Sequence, residues 1–305
     1  MTDNEFLLVD RIQKIRSVIN TYGKESFYIS FSGGKDSTVL SKLVDLAFPE
    51  NQIPRVYANT GIEYNMVRDF VFTMAKTDKR VCIIKPTVPI KQMLERDGYP
   101  FKSKEHSMYL DIFQRNGYTK TAVRYLYPDD KRKSFGCPEK LRYQFTNNFQ
   151  LKCSKKCCDR LKKEPMKHWA NENNKKNVIL GVMREEGGLR SDAKCIVPYH
   201  GGIHFQPLSV VSKKWEDWFI KEYQVEICEI YKPPYNFDRT GCKGCPYNIN
   251  LQKDLDILKV FFPNEAKQCE LIWQPVYKEY RRIRYRLKGS NIIDGQMNIF
   301  SYLKE

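Results

Sequence analysis

No run of apolar residues approaches the roughly 18 that a membrane-spanning helix needs, so no transmembrane segment is expected. The first residues, MTDNEFLLVDRIQKIRS, hold no basic stretch followed by an apolar one. No signal peptide is expected from them, and the expected location is cytoplasmic. Internal repeats and low-complexity linkers are lacking too. Histidine is scarce: His106, His168, His200 and His204 are the full set, and all precede position 205. Acidic residues are in deficit, 36 against 52 Lys and Arg, for a net charge of +16. That imbalance fits an anionic partner, whether polyphosphate nucleotide, nucleic acid or anionic cluster, and fits equally a solvated lysine-rich surface.

What is present is a chain of 305 residues with 41% hydrophobic content, enough for one large α/β domain with an appendage. Apolar spacing over residues 5–22 predicts an amphipathic helix. Residues 26–32 (SFYISFS) predict a strand that runs into Gly33-Gly34, with Asp36 or Ser37 capping a helix to about Ala47. Strands are expected at 55–59, 81–85 and 177–183, and helices near 64–75, 157–169 (interrupted by Pro165) and 210–223, where Trp215 and Trp218 read as core anchors. Residues 88–150 read as less regular. Strand–helix alternation of this kind predicts a doubly wound, mostly parallel sheet, with residues 1–250 as one domain and a helical, basic extension over 251–305. A ligand is expected at the carboxyl ends of the strands.

Two motifs carry chemistry. The first is Ser32-Gly33-Gly34-Lys35-Asp36-Ser37 between a strand and a helix. Glycines let backbone N–H groups approach an anion, the helix N-terminus adds partial positive charge, and Lys35 adds a full one. The pattern is not the Walker sequence, so the common nucleotide triphosphatase reading does not apply. An ordinary glycine turn with an exposed lysine is the plain alternative.

The second motif is Cys157-Cys158 with a later Cys242-x-x-Cys245, among ten cysteines. In a reducing compartment these are thiols or metal ligands rather than a disulfide framework. Four thiolates can bind zinc or an iron–sulfur cluster. Adjacent cysteines on a helix diverge by about 100°, which is awkward for one small ion and easier for two irons of a cubane. Lys155, Lys156, Arg160, Lys162 and Lys163 flank the first pair and can offset an anionic cluster, or simply form a solvated face.

The residues from Phe31 to Ser37 resemble the PP-loop of the adenine-nucleotide α-hydrolase superfamily. Asn59-Thr60-Gly61-Ile62-Glu63 is similar to a turn of the phosphoadenylyl-sulfate and adenylyl-sulfate reductases, with Asn59 where Asp is usual. Gly181-Val182-Met183-Arg184 with Arg190, and Gln206-Pro207-Leu208 with Trp215-Glu216-Asp217, resemble later segments of that branch. Cys157-Cys158-Asp159-Arg160 and Gly241-Cys242-Lys243-Gly244-Cys245-Pro246 resemble the cysteine segments of its iron–sulfur members. Together the likeness runs over roughly residues 25–246.

This resemblance implies that Ser32, Gly33, Gly34, Lys35, Asp36 and Ser37 hold the phosphates or sulfate of an adenine nucleotide. It implies that Thr60, Gly61 and Glu63 line the pocket with Gly181, that Arg184 and Arg190 clamp anions, and that Cys157, Cys158, Cys242 and Cys245 hold a [4Fe–4S] cluster. The nucleotide the resemblance implies is ATP, adenylyl sulfate or phosphoadenylyl sulfate.

One departure matters. The reductases attack with a cysteine in a C-terminal Glu-Cys-Gly-[Leu/Ile]-His segment, which this chain lacks. Lys35, Arg184 and Cys269 stand as catalytic candidates, with Cys137 a further thiol. The sulfur-transferase subunit of DNA phosphorothioation systems resembles the chain without that segment. The expectation is therefore a sulfonucleotide reductase-like enzyme using thioredoxin. The alternatives are an ATP-dependent sulfurtransferase acting on DNA or tRNA with a cysteine desulfurase, and a nucleotide-sensing module.

Overall fold

The computed structural model describes residues 1–129 and 136–288; the part of the expected extension beyond position 288 lies outside the described residues. In chain order come α1 (Asp3–Tyr22), β1 (Phe27–Phe31), α2 (Lys35–Ala47), β2 (Arg55–Ala58), α3 (Asn65–Thr77), β3 (Val81–Ile84), α4 (Ile90–Asp97), α5 (Lys104–Asn116) and α6 (Lys120–Leu126). They are followed by α7 (Lys156–Cys158), α8 (Glu164–Glu172), β4 (Asn177–Ile179), β5 (Ile196–Tyr199), β6 (Gly202–Phe205), α9 (Lys213–Glu222), α10 (Leu251–Phe261) and α11 (Pro263–Arg282). The chain divides into two compact units, Met1–Ile90 with Cys158–Lys243, and Lys91–Cys157 with Gly244–Glu305.

The first unit holds a six-stranded sheet in the order β3-β2-β1-β4-β6-β5. The first five strands of that order are mutually parallel, and β5 closes one side as an antiparallel hairpin with β6, Pro198 opposite Ile203. The period-2 alternation of a strand sets the two faces. Phe27 and Ile29 of β1 pack with Val39, Leu40, Ile179, Phe205, Trp215 and Phe219 under α1, α2 and α9. Tyr28 turns the other way and packs with Val56, Val178 and Ala170, against Met166 and Trp169 of α8. Helices thus cover both faces, and the expected doubly wound α/β class is borne out. Trp215 is buried as expected, with Trp218 packed at the margin of that core. The β5–β6 hairpin is an element that the sequence pattern did not signal.

At the amino end of β2, Arg55 is fully buried. Its guanidinium reaches Asp45 Oδ1 at 2.5 Å and Asn51 Oδ1 at 2.8 Å, and Arg80 shares Asp45 at 2.7 Å. A buried guanidinium without such partners would cost several kcal/mol, so the network fixes the start of β2.

Pro165 does not interrupt its helix. It sits in the first turn of α8, where a missing N–H costs nothing. The irregularity is a π turn at Asp159–Lys163, between α7 and α8.

The second unit sharpens the reading of residues 88–150 as less regular: α4, α5 and α6 lie there, and Ser103 and Thr119 cap α5 and α6 through their side chains. Aromatic residues fill its core. His106 packs among Phe101, Tyr125 and Phe145, edge-on to the latter two, with Nδ1 2.8 Å from Tyr125 Oη and Nε2 2.7 Å from Gln144 Oε1. Burial pushes the His106 pKa down to about 4, so it is a neutral structural imidazole and not an acid–base group.

Candidate nucleotide and thiol site

In a doubly wound sheet the ligand crevice opens where strand order reverses, at the carboxyl ends of the strands. Here that point lies between β1 and β4, and the Ser32–Ser37 turn leaves β1 at it. Gly33 has φ +70°, and a Cβ there would lie 2.5 Å from Val71 Cγ2 and 3.0 Å from Val67 Cγ1. Only glycine meets both constraints. Gly34 is the N-cap of α2, so no cap side chain occupies the first-turn N–H groups. The expected caps, Asp36 and Ser37, lie inside that first turn instead.

Ser37 braces the loop. Its Oγ accepts from Ser32 N at 3.2 Å, donates to Gly34 O at 2.9 Å and lies 3.0 Å from Ser32 Oγ. Gly181, just after β4, crosses this turn so closely that a Cβ would lie 3.1 Å from Asp36 O. The structure therefore brings Ser32, Gly33, Gly34, Lys35, Asp36, Ser37 and Gly181 together.

Charge at the turn is less simple than one lysine. Lys35 Nζ lies 3.1 Å from Glu216 Oε2 and 3.1 Å from Asp217 Oδ1. Burial opposes the ammonium charge, but Glu216 and then Asp217 outweigh it and raise the Lys35 pKa. Glu216 is fully buried, and neither of its oxygens makes an aligned hydrogen bond among the described residues; the Lys35 contact is an ion pair. Burial, and next the charge of Asp36, pushes Glu216 up to about 7. Asp36 is raised as well, by burial and then by Glu186.

Glu186 accepts an ion pair from Arg190 and another from Arg239 at 3.0 Å. Arg190 is thus close enough to act on Asp36. Arg184 turns elsewhere, with Nε donating to Ala193 O at 2.7 Å. Glu186, Glu216 and Arg239 are members of the site that the motif reading did not assign, although Glu216 stands in the quoted Trp215-Glu216-Asp217 stretch.

The Thr60–Glu63 turn follows β2. Glu63 accepts from Thr60 N at 3.0 Å and Thr60 Oγ1 at 2.6 Å, so its carboxylate holds the turn. Gly61 has φ +80°. Glu63 also lines a cavity of about 90 Å³ with Ser32, Tyr57, Val67, Lys162 and Thr240. Lys162 Nζ is 3.8 Å from Glu63 Oε1. The Tyr231 and Thr240 hydroxyls are hydrogen-bonded, and Tyr231 Oη would lie 3.2 Å from a Cβ at Gly34.

The division of the chain falls within both cysteine motifs: Cys158 and Cys242 belong to the first unit, Cys157 and Cys245 to the second. In the first unit Cys242 is paired to Glu63 in a β-bridge, and Lys243 N donates to Ile62 O at 2.7 Å. Burial raises the Cys242 pKa; Lys162 lowers it by charge and hydrogen bond, while Glu63 and Cys158 raise it. In the second unit Gly244 has φ +63°, and a Cβ there would lie 2.8 Å from both Cβ and Sγ of Cys269.

Among the described residues, no group of three or more His, Cys, Asp or Glu is arranged to hold a metal ion. The donor chemistry of the two motifs nonetheless fits an iron–sulfur cluster: the candidate ligands are all thiols, and the Lys162 ammonium lies against Cys242. The two thiols weighed as nucleophiles are buried. Cys269 is fully enclosed on α11, and burial pushes Cys137 up to about 11.

The second unit also carries a basic groove. Lys278, Arg281, Arg282, Arg284, Arg286 and Lys288 line it beside Tyr143 and Phe149, with Glu270 and Glu279 as its acidic members. Arg282 lies over the Tyr143 ring at 5.0 Å. No described helix is long and apolar enough to cross a membrane.

Residues 26–123 match the family model described as phosphoadenosine phosphosulfate reductase domain. No curated protein matches the sequence. Among solved structures, a phosphoadenylyl-sulfate reductase from Candida auris in phosphate complex is similar at 13% identity, covering 75% of this chain and 91% of that one, with a TM-score of 0.43. An NH3-dependent NAD synthetase from Campylobacter jejuni in complex with nitrate is 14% identical, covering 90% and 96%, with a TM-score of 0.41. The U34-tRNA thiolase NcsA from Methanococcus maripaludis, with its [4Fe-4S] cluster, is 12% identical, covering 92% and 80%, with a TM-score of 0.37.

Proposed function

Residues 26–123 being a match to the phosphoadenosine phosphosulfate reductase domain, we propose that the protein is an adenine-nucleotide-binding [4Fe-4S] enzyme of sulfur metabolism, resembling the phosphoadenylyl-sulfate and adenylyl-sulfate reductases. The observation that carries this reading is the Ser32–Ser37 turn. It combines a glycine at positive φ, a helix N-cap without a side chain and Lys35 at the switch point of a parallel sheet. Backbone N–H groups of the first turn of α2 bind phosphate or sulfate oxygens, and Lys35 neutralises them. An arriving anion competes with Glu216 and Asp217 for Lys35. Arg190 acts from the side through Glu186. Thr60, Gly61 and Glu63 shape the adjoining wall.

Cys157, Cys158, Cys242 and Cys245 hold the cluster in this reading, with Lys162 offsetting its charge. When bound, the cluster supplies electrostatic tuning of the site or electron transfer.

A second reading is an ATP-dependent sulfurtransferase that activates DNA or tRNA for sulfur insertion, with a cysteine desulfurase as sulfur source. The burial of Cys137 and Cys269 favours it, because neither thiol is presented as a nucleophile. The basic groove of the second unit supports a polyanionic substrate.

One assay panel tests both. Sulfite release from adenylyl sulfate or phosphoadenylyl sulfate with thioredoxin supports the first reading. Pyrophosphate release from ATP, stimulated by DNA or tRNA, supports the second. Nucleotide binding with neither product leaves a sensing module, and no nucleotide binding overturns all three.

A further inference from the structure

Beside the phosphate turn, a residue lining the small cavity holds a polar group with no partner among the described residues. Tyr57 of β2 is 1% exposed, lines the cavity, and its hydroxyl makes no hydrogen bond among the described residues. Leaving a buried hydroxyl unmet costs on the order of 1–3 kcal/mol, so its retention points to a partner that arrives from outside the fold. The neighbouring polar groups are already engaged. Glu63 takes both Thr60 donors, Ser32 Oγ accepts from Gly34 N at 3.2 Å, and Thr240 Oγ1 is bonded to Tyr231. The remaining wall includes apolar Phe31, Val67 and Met166.

We infer that the Tyr57 hydroxyl donates a hydrogen bond to the nucleoside part of the nucleotide whose phosphates occupy the Ser32–Ser37 turn, and so selects nucleotides over simple polyphosphates. This rests on the nucleotide reading above. Three features set the class of group that fits. The cavity adjoins the turn through the shared residue Ser32, so its occupant is continuous with a phosphate. Its wall is apolar at Phe31, Val67 and Met166, and its one ammonium, Lys162, stands 3.8 Å from the Glu63 carboxylate, so it suits an uncharged ring rather than a second anion. Burial first, and then Glu63, raises the Tyr57 pKa, so the phenol keeps its proton and the ligand atom it meets is an acceptor oxygen or ring nitrogen. Tyr57 is then a specificity residue, and its removal takes away one bond without disturbing the turn.

The test is Tyr57→Phe in the full chain, titrated calorimetrically with ATP and, separately, with inorganic tripolyphosphate. Thermal melting checks folding, which the isosteric change leaves intact because the hydroxyl bonds nothing among the described residues. The expected result is an ATP affinity lower by about 5- to 10-fold, the worth of one hydrogen bond, with tripolyphosphate affinity unchanged. Equal ATP affinity in the variant and the parent overturns the inference while the nucleotide reading stands. Parallel loss for ATP and tripolyphosphate also overturns it, since Tyr57 would then only support the turn. A parent protein that binds neither ligand overturns the nucleotide reading itself, and the inference with it.

Discussion

Lys35 Nζ and Glu216 Oε2 stand 3.1 Å apart at the first turn of α2, one partly exposed and the other fully buried. The pair sets the resting charge of the phosphate turn, because Asp36 and Asp217 add two more carboxylates beside a single lysine.

A pH dependence follows from Glu216. Its carboxyl sits near 4.5 in an unfolded chain and is pushed up to about 7 in the fold. Between those values the folded protein keeps a proton that the unfolded chain has lost, so this group's contribution to stability falls as pH rises through that window. Above 7 the penalty is constant, on the order of 3 kcal/mol. Glu216→Gln is expected to flatten the slope of unfolding free energy between pH 5 and 7.5, measured by urea titration at several pH values. An unchanged slope would assign the proton uptake to another group.

Anion affinity should track the same proton. Protonating Glu216 releases Lys35 toward the ligand, so ATP binding is expected to strengthen several-fold from pH 8 to pH 6, by about 1 kcal/mol. Lys35→Ala is expected to lower affinity by at least 10-fold, as removal of a charge-assisted contact does. Calorimetry with Lys35→Ala giving parental affinity would refute the assignment of the turn.

Gly33→Ala tests the turn through the backbone. The added methyl meets Val71 and Val67, and its residue must hold φ +70°. Left-handed strain alone costs about 1–2 kcal/mol, with overpacking adding a similar amount. A lower urea midpoint and lost ATP binding are expected. Gly61→Ala, at a similar φ of +80° but with nothing within 4 Å of the added methyl, should lose only the strain term.

Iron content tests the cysteine proposal. Anaerobically purified protein is expected to be brown and to carry about four irons per chain, as a cubane requires. Cys242→Ser should reduce iron by elemental analysis, and Lys162→Ala should shift the reduction potential of the bound cluster. Zinc as the sole metal would exclude the cluster.

Buried thiols should react slowly. Native alkylation of Cys269 and Cys137 is expected to lag that of urea-unfolded protein by more than an order of magnitude. If the protein releases sulfite, Cys269→Ala should leave the rate unchanged; abolition of release would make Cys269 the nucleophile despite its burial.

Much of this was legible in the sequence. β1, β2 and β3 were found within two residues because aromatic and β-branched runs end at turn residues. The Ser32–Ser37 turn was found because its glycines and lysine have few other uses together. The long-range partners were not legible. Glu216 is 180 positions from Asp36, and nothing local says that the two face each other. Likewise Glu186 reads as a solvated acid until Arg190 and Arg239 are seen to close on it. The helices at 90–126 were missed because their buried faces are aromatic and polar, as with His106 and Tyr125, and not a plain aliphatic stripe. The hairpin of β5 and β6 was missed because Pro198 and Gly202 interrupt both short strands.

That hairpin ends the sheet order at β5. Pro198 has no N–H, so a strand from another molecule laid along β5 would lack a rung at that position. The outermost strand is thereby a poorer template for intermolecular strand pairing, an edge blunted by a single imino acid.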